Sequence, residues 1–533
     1  AYNLSKTEKE MTSFELASFQ RIKKALLEEE MGGIKANTSL KFAKNPEKIA
    51  YFNDSVGASS EIEGESSFLT KNIAINLHVN KIKGETFFDE SYIAVALGDY
   101  SISLGSKKNW WGPGWGGSLM LSTNARPMSG LSIDRNFSDA FQSNFLSWIG
   151  PWDLSILVGE LEHSRARPDT LFFGLRVGFR PLSNLEYGFS RTSLFCGENK
   201  SCGLSGFTDM FLDKSDSDYN LAGFDFRSSH TIQNIPFALY GQVMSHSFDN
   251  ALGLFGLETW GPINDFRQLE SYRIFLEATS TTCGYYKNED YNFGCAYAHT
   301  SYPDGYRHEG ANIGHSADGD ALLLTVGGIF VAQNSQLIKS TVSLGRLNRG
   351  SNNQYLLSQN DNDILKLDLG YEFDLFWFDI PLGNFDIGMG LDIMKDKANN
   401  TTHKDPRVYL SYSGSIDFSS KKVRNYSEYL ELIEYSEDDI TDEIVLLETT
   451  IKASDFTIMD DMNLSELIVL IDQIANQRNT YIESQNKNEF IQKRKLPKQS
   501  MENNLEFGVL LTGDQDDLTE IMLKLDQTIE NRN

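Results

Sequence analysis

The chain is short of several things. Its 533 residues include only four cysteines, 12 prolines and eight histidines. No run of about 18 apolar residues occurs, which excludes a bundle of membrane-crossing helices. Positive charge is scarce too. Lys and Arg number 48 against 74 Asp and Glu, a formal net charge of −26. A nucleic-acid partner is therefore not expected, because displacing phosphate counterions needs a basic surface. The signatures of catalysis are missing as well. His299, His308 and His315 lie near one another without the His-Glu-x-x-His spacing of a metal site. There is no Gly-x-Ser-x-Gly elbow and no phosphate-cradling Gly-x-x-x-x-Gly-Lys. Paired carboxylates could hydrolyse glycosides only at a fixed separation, and nothing in the sequence fixes one. The expectation is a protein that is not an enzyme and uses no cofactor or metal. A transmembrane β-barrel stays open, since it hides its apolar residues at every second position.

Glycine (42) and aromatic residues (12 %) are plentiful. From about residue 38 to 420 the hydrophobic pattern has period two. Leu365, Leu367, Leu369, Tyr371, Phe373, Leu375 and Trp377 share one face of a strand. Lys366, Asp368, Gly370, Glu372 and Asp374 share the other. After the short turn Pro381-Leu-Gly-Asn384, Phe385, Ile387, Met389, Leu391 and Ile393 alternate with Asp386, Gly388, Gly390 and Asp392. The polar stretch Lys395 to Pro406 precedes a third strand, Val408 to Phe418, which ends on an aromatic residue. Tight turns thus alternate with long loops, and the strands are longer than those of a soluble sandwich. A tilted membrane strand needs about nine to eleven residues. The pattern predicts lipid outside and water or a plug inside.

The cysteines fall in two local pairs, Cys196 with Cys202 and Cys283 with Cys295, within polar loops. Two loop disulfides and an oxidising compartment are the preferred reading, four free thiols the alternative. Ala1 opens neither a basic n-region nor an apolar h-region, so in an exported protein the signal peptide has already been removed. Residues 1 to about 33 read as a helix. Ser5 and Glu8 fit a capping box, Phe14, Leu16, Phe19, Ile22, Ala25 and Leu26 recur at helical spacing, and Met31-Gly-Gly is a stop. Residues 425–533 contain 24 acids against nine Lys and Arg, and only two glycines, Gly508 and Gly513. Glu428–Thr449, Leu464–Lys495 and Asp516–Asn531 look helical. The alternative is a partly disordered acidic tail.

The densest motif is Asn109-Trp-Trp-Gly-Pro-Gly-Trp-Gly-Gly-Ser-Leu119, followed by Ser122-Thr-Asn-Ala-Arg-Pro-Met-Ser-Gly130. Trp148-Ile-Gly-Pro-Trp152, Asn220-Leu-Ala-Gly-Phe-Asp-Phe226, Phe237-Ala-Leu-Tyr-Gly-Gln242, Tyr302-Pro-Asp-Gly-Tyr306 and Ala317-Asp-Gly-Asp320 come after it. In this order the blocks resemble the Wzi capsule-assembly family over roughly residues 70 to 420. The resemblance implies an all-β membrane protein, an antiparallel outer-membrane β-barrel of about 18 strands with a small periplasmic helical part. It also implies a lectin-like role without catalysis, holding capsular or extracellular polysaccharide at the surface of a Gram-negative cell. The expected layout is a periplasmic helical segment (1–36), a transmembrane barrel (37–422) in contact with outer-membrane lipid, and an acidic, mainly helical extension (423–533). Both barrel ends normally emerge in the periplasm, so the extension is placed there. It departs from the family pattern and suggests a second role, a barrel anchor that recruits periplasmic or envelope partners. A small-solute channel is a third possibility.

Aromatic faces cover the C–H patches of sugars, and planar polar groups satisfy their hydroxyls. Trp110, Trp111 and Trp115 supply the first, with Asn124 and Arg126 near them for the second. The glycines Gly112, Gly114, Gly116 and Gly117 allow the backbone to bend sharply. The block reads either as a saccharide-binding constriction or as a structural plug. The external loop candidates are Tyr302, Asp304, Tyr306, Arg307, Asp318 and Asp320. Asp213, Asp216 and Asp218 form an acidic cluster that lacks the spaced glycine and closing Glu of a calcium loop.

Overall fold

A computed structural model describes residues 33–417, less positions 46, 50, 53–57, 136–139, 142, 144, 201, 212–217, 247–249, 264–267, 287–290, 333–335, 353–354, 356 and 378–379. The N-terminal helical reading, the acidic extension, Phe418, Asp213 and Asp216 lie outside the described residues. The rest closes into an antiparallel barrel of 18 staves. In chain order these are β1 (Gly33–Lys44), β2 (Ser60–Leu69), β3 (Ile73–Ile82), β4 (Tyr92–Leu97), β5 (Tyr100–Ser106), β6 (Ser129–Arg135), β7 (Trp152–Glu160), β8 (Thr170–Leu182) and β9 (Leu185–Cys196). Then follow β10 (Tyr219–Ile232), β11 (Ile235–Ser245), β12 (Leu252–Pro262), β13 (Leu269–Ser280), β14 (Leu322–Ala332), β15 (Leu337–Leu347), β16 (Asn362–Trp377), β17 (Ile380–Asp396) and β18 (Thr401–Asp417). A three-residue strand, Glu85–Phe87, pairs with β3 ahead of β4. Each stave pairs with its sequence neighbour, and β1 returns to β18 from Lys35↔Asp417 to Lys44↔Val408. The expected strand number is borne out.

Alternation sets which face is which. Ile73, Ile75 and Leu77 of β3 are exposed, whereas Asn76, His78 and Asn80 are buried. On β16, Leu367 and Leu369 are exposed and Lys366 is fully buried. The oily face therefore points away from the barrel axis and the polar face points inward, the reverse of a water-soluble barrel. Turns at one end are tight. Gln233 and Asn234 link β10 to β11 with φ of 50° and 66°, as a two-residue turn matched to strand twist requires. That end also carries Gly33 and Asp417. The connections 107–128, 197–218, 281–321 and 348–361 lie at the opposite end, whereas one longer connection, 136–151 between β6 and β7, lies at the tight-turn end.

One helix that the sequence reading did not identify is α1 (Gly203–Phe211). Met210 packs with Phe173 and Phe195, and Phe207 lies against them. The register pairs Phe173 with Val158, and Phe172, of opposite parity, with Gly159. Phe172 belongs to the internal core, so Phe173 and α1 sit on the outer wall. Arg191 donates to the carbonyls of Met210 (2.9 Å) and Phe211 (2.9 Å), closing the C-terminal end of α1.

Candidate functional site

Wall side chains cannot fill the bore of so wide a barrel. Two loops from the long-loop end do so instead. In the Lys107–Met128 loop, Trp111 N–H donates to Leu121 O (2.9 Å), folding the glycine block into a tight lobe. Gly112 has φ 141°, a conformation that disfavours any side chain. A Cβ at Gly117 would lie 2.2 Å from the ring of His315. The glycines therefore allow close approach as well as bending.

The lobe is fastened to the wall and to the Thr281–Ala321 loop. Gln242 of β11 donates to Trp111 O (2.7 Å) and accepts from Leu119 N–H (2.7 Å). The Glu277 carboxylate of β13 accepts from the N–H groups of Trp115 (2.9 Å) and Gly116 (3.1 Å). Tyr306 donates to Met120 O (2.8 Å) and lies 3.0 Å from Thr192 Oγ1 on β9. Tyr297 donates to Leu119 O (3.1 Å), and Asn124 Nδ2 to Asn312 O (2.8 Å). Around these bonds Trp111, Leu119, Met120, Leu121, Tyr297 and Ile313 pack with Phe172, Leu194, Leu221 and Leu254 of the wall. One sector of the lumen is thus a dry core.

Another sector is ionic. Lys366, fully buried, pairs with Glu47 and with Asp368 (2.8 Å), its ammonium 3.8 Å from the Tyr51 ring centroid. Arg407 bridges Asp368 and Asp392. Each charge in this sector has a partner of opposite sign, which offsets the cost of burying it.

The predicted contact residues are divided between core and surface. Trp111, Tyr302, Tyr306, Arg307, Asp318 and Asp320 are buried. Arg307 pairs with Asp318 (2.6 Å), which also accepts from Asn312 Nδ2 (2.9 Å). Asp320 accepts from Gly294 N–H (2.8 Å), and burial pushes its carboxyl up to about 6. Tyr302 donates to Cys196 O (3.2 Å), under Lys200 at 4.5 Å. His315, equally buried, is pushed down to about 4 by desolvation.

Trp110, Trp115, Asn124, Arg126 and Asp304 keep partial exposure. Asp304 accepts from Ala166 N–H (2.7 Å). Arg126 forms a fork on Asp89 (2.8 Å twice) over the Phe87 ring, and that hydrogen bond raises its pKa. Trp115 donates from Nε1 to Glu258 (3.0 Å) and stacks on Phe275, with Arg273 5.2 Å from its ring and 5.4 Å from Trp260. This half-exposed aromatic and guanidinium cluster escaped the sequence reading, because Trp260 and Arg273 sit on separate strands. Both expected disulfides form, Cys196–Cys202 and Cys283–Cys295, at the long-loop end. Asp218 is buried and faces Lys200 (3.4 Å).

An outward apolar band around a closed barrel, polar staves within and a lumen filled by loops from one end define an outer-membrane β-barrel of the plugged kind. Residues 44–378 match the family model described as capsule assembly protein Wzi, and the chain belongs to that family. It resembles the solved structure of Wzi from Escherichia coli, an outer membrane protein involved in group 1 capsule assembly and a carbohydrate-binding β-barrel. The TM-score is 0.66 at 22 % identity, covering 77 % of this chain and 90 % of that one. It is also 32 % identical over 186 residues to an uncharacterized 55.8 kDa protein in the cps region of Klebsiella pneumoniae. That match spans 32 % of this chain and 37 % of the relative, little more than a third of its length.

Proposed function

We propose that the protein holds capsular or extracellular polysaccharide at the outer face of the outer membrane, without catalysis. The observation that carries this reading is the plug. Trp111, Tyr297 and Tyr306 bind the two inward loops to the wall, so the barrel works as a platform for its long-loop end. Family membership supplies the polymer class, and the two disulfides at that end suit an oxidising exterior. In this reading the long-loop end faces outward, and the tight-turn end with both barrel termini faces the periplasm. The partly exposed Trp110, Trp115, Asn124, Arg126 and Asp304 remain contact candidates, whereas Tyr302, Tyr306, Arg307, Asp318 and Asp320 fix the loops that carry the contacts. Residues 423–533 would form a separate acidic periplasmic extension.

Deleting the gene should release polymer into the medium while total synthesis stays constant. An unchanged cell-bound fraction would refute the proposal.

A further inference from the structure

The geometry points to a binding subsite for an acidic pyranose, a hexuronate unit of the polymer, on the disulfide-pinned hairpin between Cys283 and Cys295 together with Arg349. This inference rests on the polysaccharide-holding role and sharpens it by naming the sugar chemistry and the place. The bond from Cys283 to Cys295 closes the hairpin at its base, and Asn292 N–H donates across it to Cys283 O (3.2 Å). On either side of Asn292, close to that base, stand Tyr291 and Phe293, ring centroids 5.8 Å apart, with Phe293 42 % exposed. Arg349, half-buried on the neighbouring Asn348–Asp361 loop, places its guanidinium 4.6 Å from the Tyr291 centroid and 5.6 Å from that of Phe293.

Asp320 ties the two loops together. Its carboxylate accepts from Gly294 N–H (2.8 Å), and its carbonyl accepts from Arg349 N–H (3.0 Å). The buried Asp320 carboxylate feels Arg349 electrostatically. Among the described residues, however, no carboxylate forms an ion pair with Arg349. The patch therefore offers an aromatic shelf, a guanidinium beside it with ion-pairing capacity to spare, and the exposed amide of Asn292, which also donates to Asn250 Oδ1 (3.3 Å).

Each part matches one feature of a hexuronate. The C–H face of a pyranose ring lies on an aromatic face. A planar carboxylate takes the two-pronged donor set of arginine, a geometry that lysine does not reproduce. Side-chain amides satisfy ring hydroxyls. A neutral hexose could use the shelf and the amide but not the guanidinium. Tyr285 differs from this shelf, since its ring lies 6.1 Å from that of Phe255, which is exposed on the outer wall as in a membrane-interface girdle.

The test uses the full-length protein in detergent and polysaccharide extracted from the strain that carries it. The polymer is offered intact and after carboxyl reduction, which turns hexuronate units into neutral hexoses. The wild-type protein should bind intact polymer about tenfold or more tightly than reduced polymer, the worth of one charge-assisted hydrogen-bonded pair. Arg349→Gln should bind both forms alike, at the level of wild type with reduced polymer. Phe293→Ala should weaken both while keeping the preference. Heat-modifiable gel migration confirms that each variant barrel is folded. Equal wild-type binding of the two forms, or an undiminished preference in Arg349→Gln, would overturn the subsite and leave the polysaccharide role standing. Failure of the wild-type protein to bind either form would overturn that role as well.

Discussion

Removing the indole of Trp111 separates a packing role for the glycine-tryptophan block from a ligand-contact role. The side chain is 4 % exposed and belongs to the lumenal core. Its ring fills the space over Gly174 on β8, where an added Cβ would lie 2.7 Å from Trp111 Cη2. Truncating a buried tryptophan to alanine costs about 3–5 kcal/mol, from lost transfer energy and the cavity left behind. Gly174→Ala alone should cost about 1–3 kcal/mol, because the new methyl group meets the indole. In a Trp111→Ala background the same methyl meets only the ring edge of Phe172 (3.0 Å) and should cost clearly less. The double-mutant cycle therefore predicts a coupling energy of up to about 3 kcal/mol, favouring the double variant over additivity. Urea titration of the detergent-solubilised protein, followed by far-ultraviolet circular dichroism, measures all four corners. Planar bilayers give a second reading, a closed wild type and intermittent conductance in Trp111→Ala as the lobe loosens. If Trp111→Ala stays within about 0.5 kcal/mol of wild type and its effect adds to that of Gly174→Ala, the ring does not hold the plug.

Three further outcomes follow from the same geometry. Acid stability should contain two opposed contributions. Asp320, raised to about 6, binds its proton more readily folded than unfolded, so its contribution grows as pH falls from 6 towards 4. His315, lowered to about 4, must gain a proton to unfold below its ordinary range, so its contribution shrinks over that window. Asp320→Asn should thus lose stability more steeply on acidification than wild type, by up to about 1.4 kcal/mol per pH unit in urea titrations; an unchanged slope counts against the assignment. Opening the Cys283–Cys295 bond by paired serine substitution releases a constraint worth about 3 kcal/mol for a loop of this length. Limited proteolysis should then cut between residues 283 and 295 while the barrel keeps its heat-modifiable migration, and resistance equal to wild type would refute this. Truncation after Lys422 should leave a folded barrel that still binds polymer, since every described contact of the plug lies before that point; loss of folding would show that the extension is integral to the barrel.

The staves were legible because alternation in a barrel wall is a local signal. Leu367 and Leu369 are exposed and Lys366 is buried, as period two along Leu365–Trp377 requires. The disulfides were legible because each closes within one loop. Loop direction was not. Tyr302-Pro-Asp-Gly-Tyr-Arg-His has the composition of a solvated external loop, yet Tyr302, Tyr306 and Arg307 are buried. A loop that turns into the lumen needs the same polar side chains to satisfy its own backbone and to meet a polar wall. Arg307 on Asp318 and Tyr306 on Met120 O are such pairs. The sequence reading also missed α1, which is short and set among polar residues, and the pairing of Arg349 with Tyr291 and Phe293, which depends on two loops meeting.

The choice between a dry core and an ionic sector inside one barrel has a physical origin. The wall behind the tryptophan lobe carries inward apolar side chains, Leu194, Leu221, Leu252 and Leu254, that a hydrated channel would not retain. They become favourable only when an apolar surface covers them, and the lobe supplies Leu119, Met120 and Leu121 for that purpose. Across the lumen, β16 to β18 offer Lys366, Asp368, Asp392 and Arg407, which bond to one another and to Glu47 from the loop after β1. An apolar plug against that wall would strand four charges at several kcal/mol each. The plug is therefore directional: its oily side has one wall to meet, and the ionic wall is closed by its own salt bridges. A lumen occupied in this way holds an arrangement of loops at one rim, which is what an anchor for a long polymer needs.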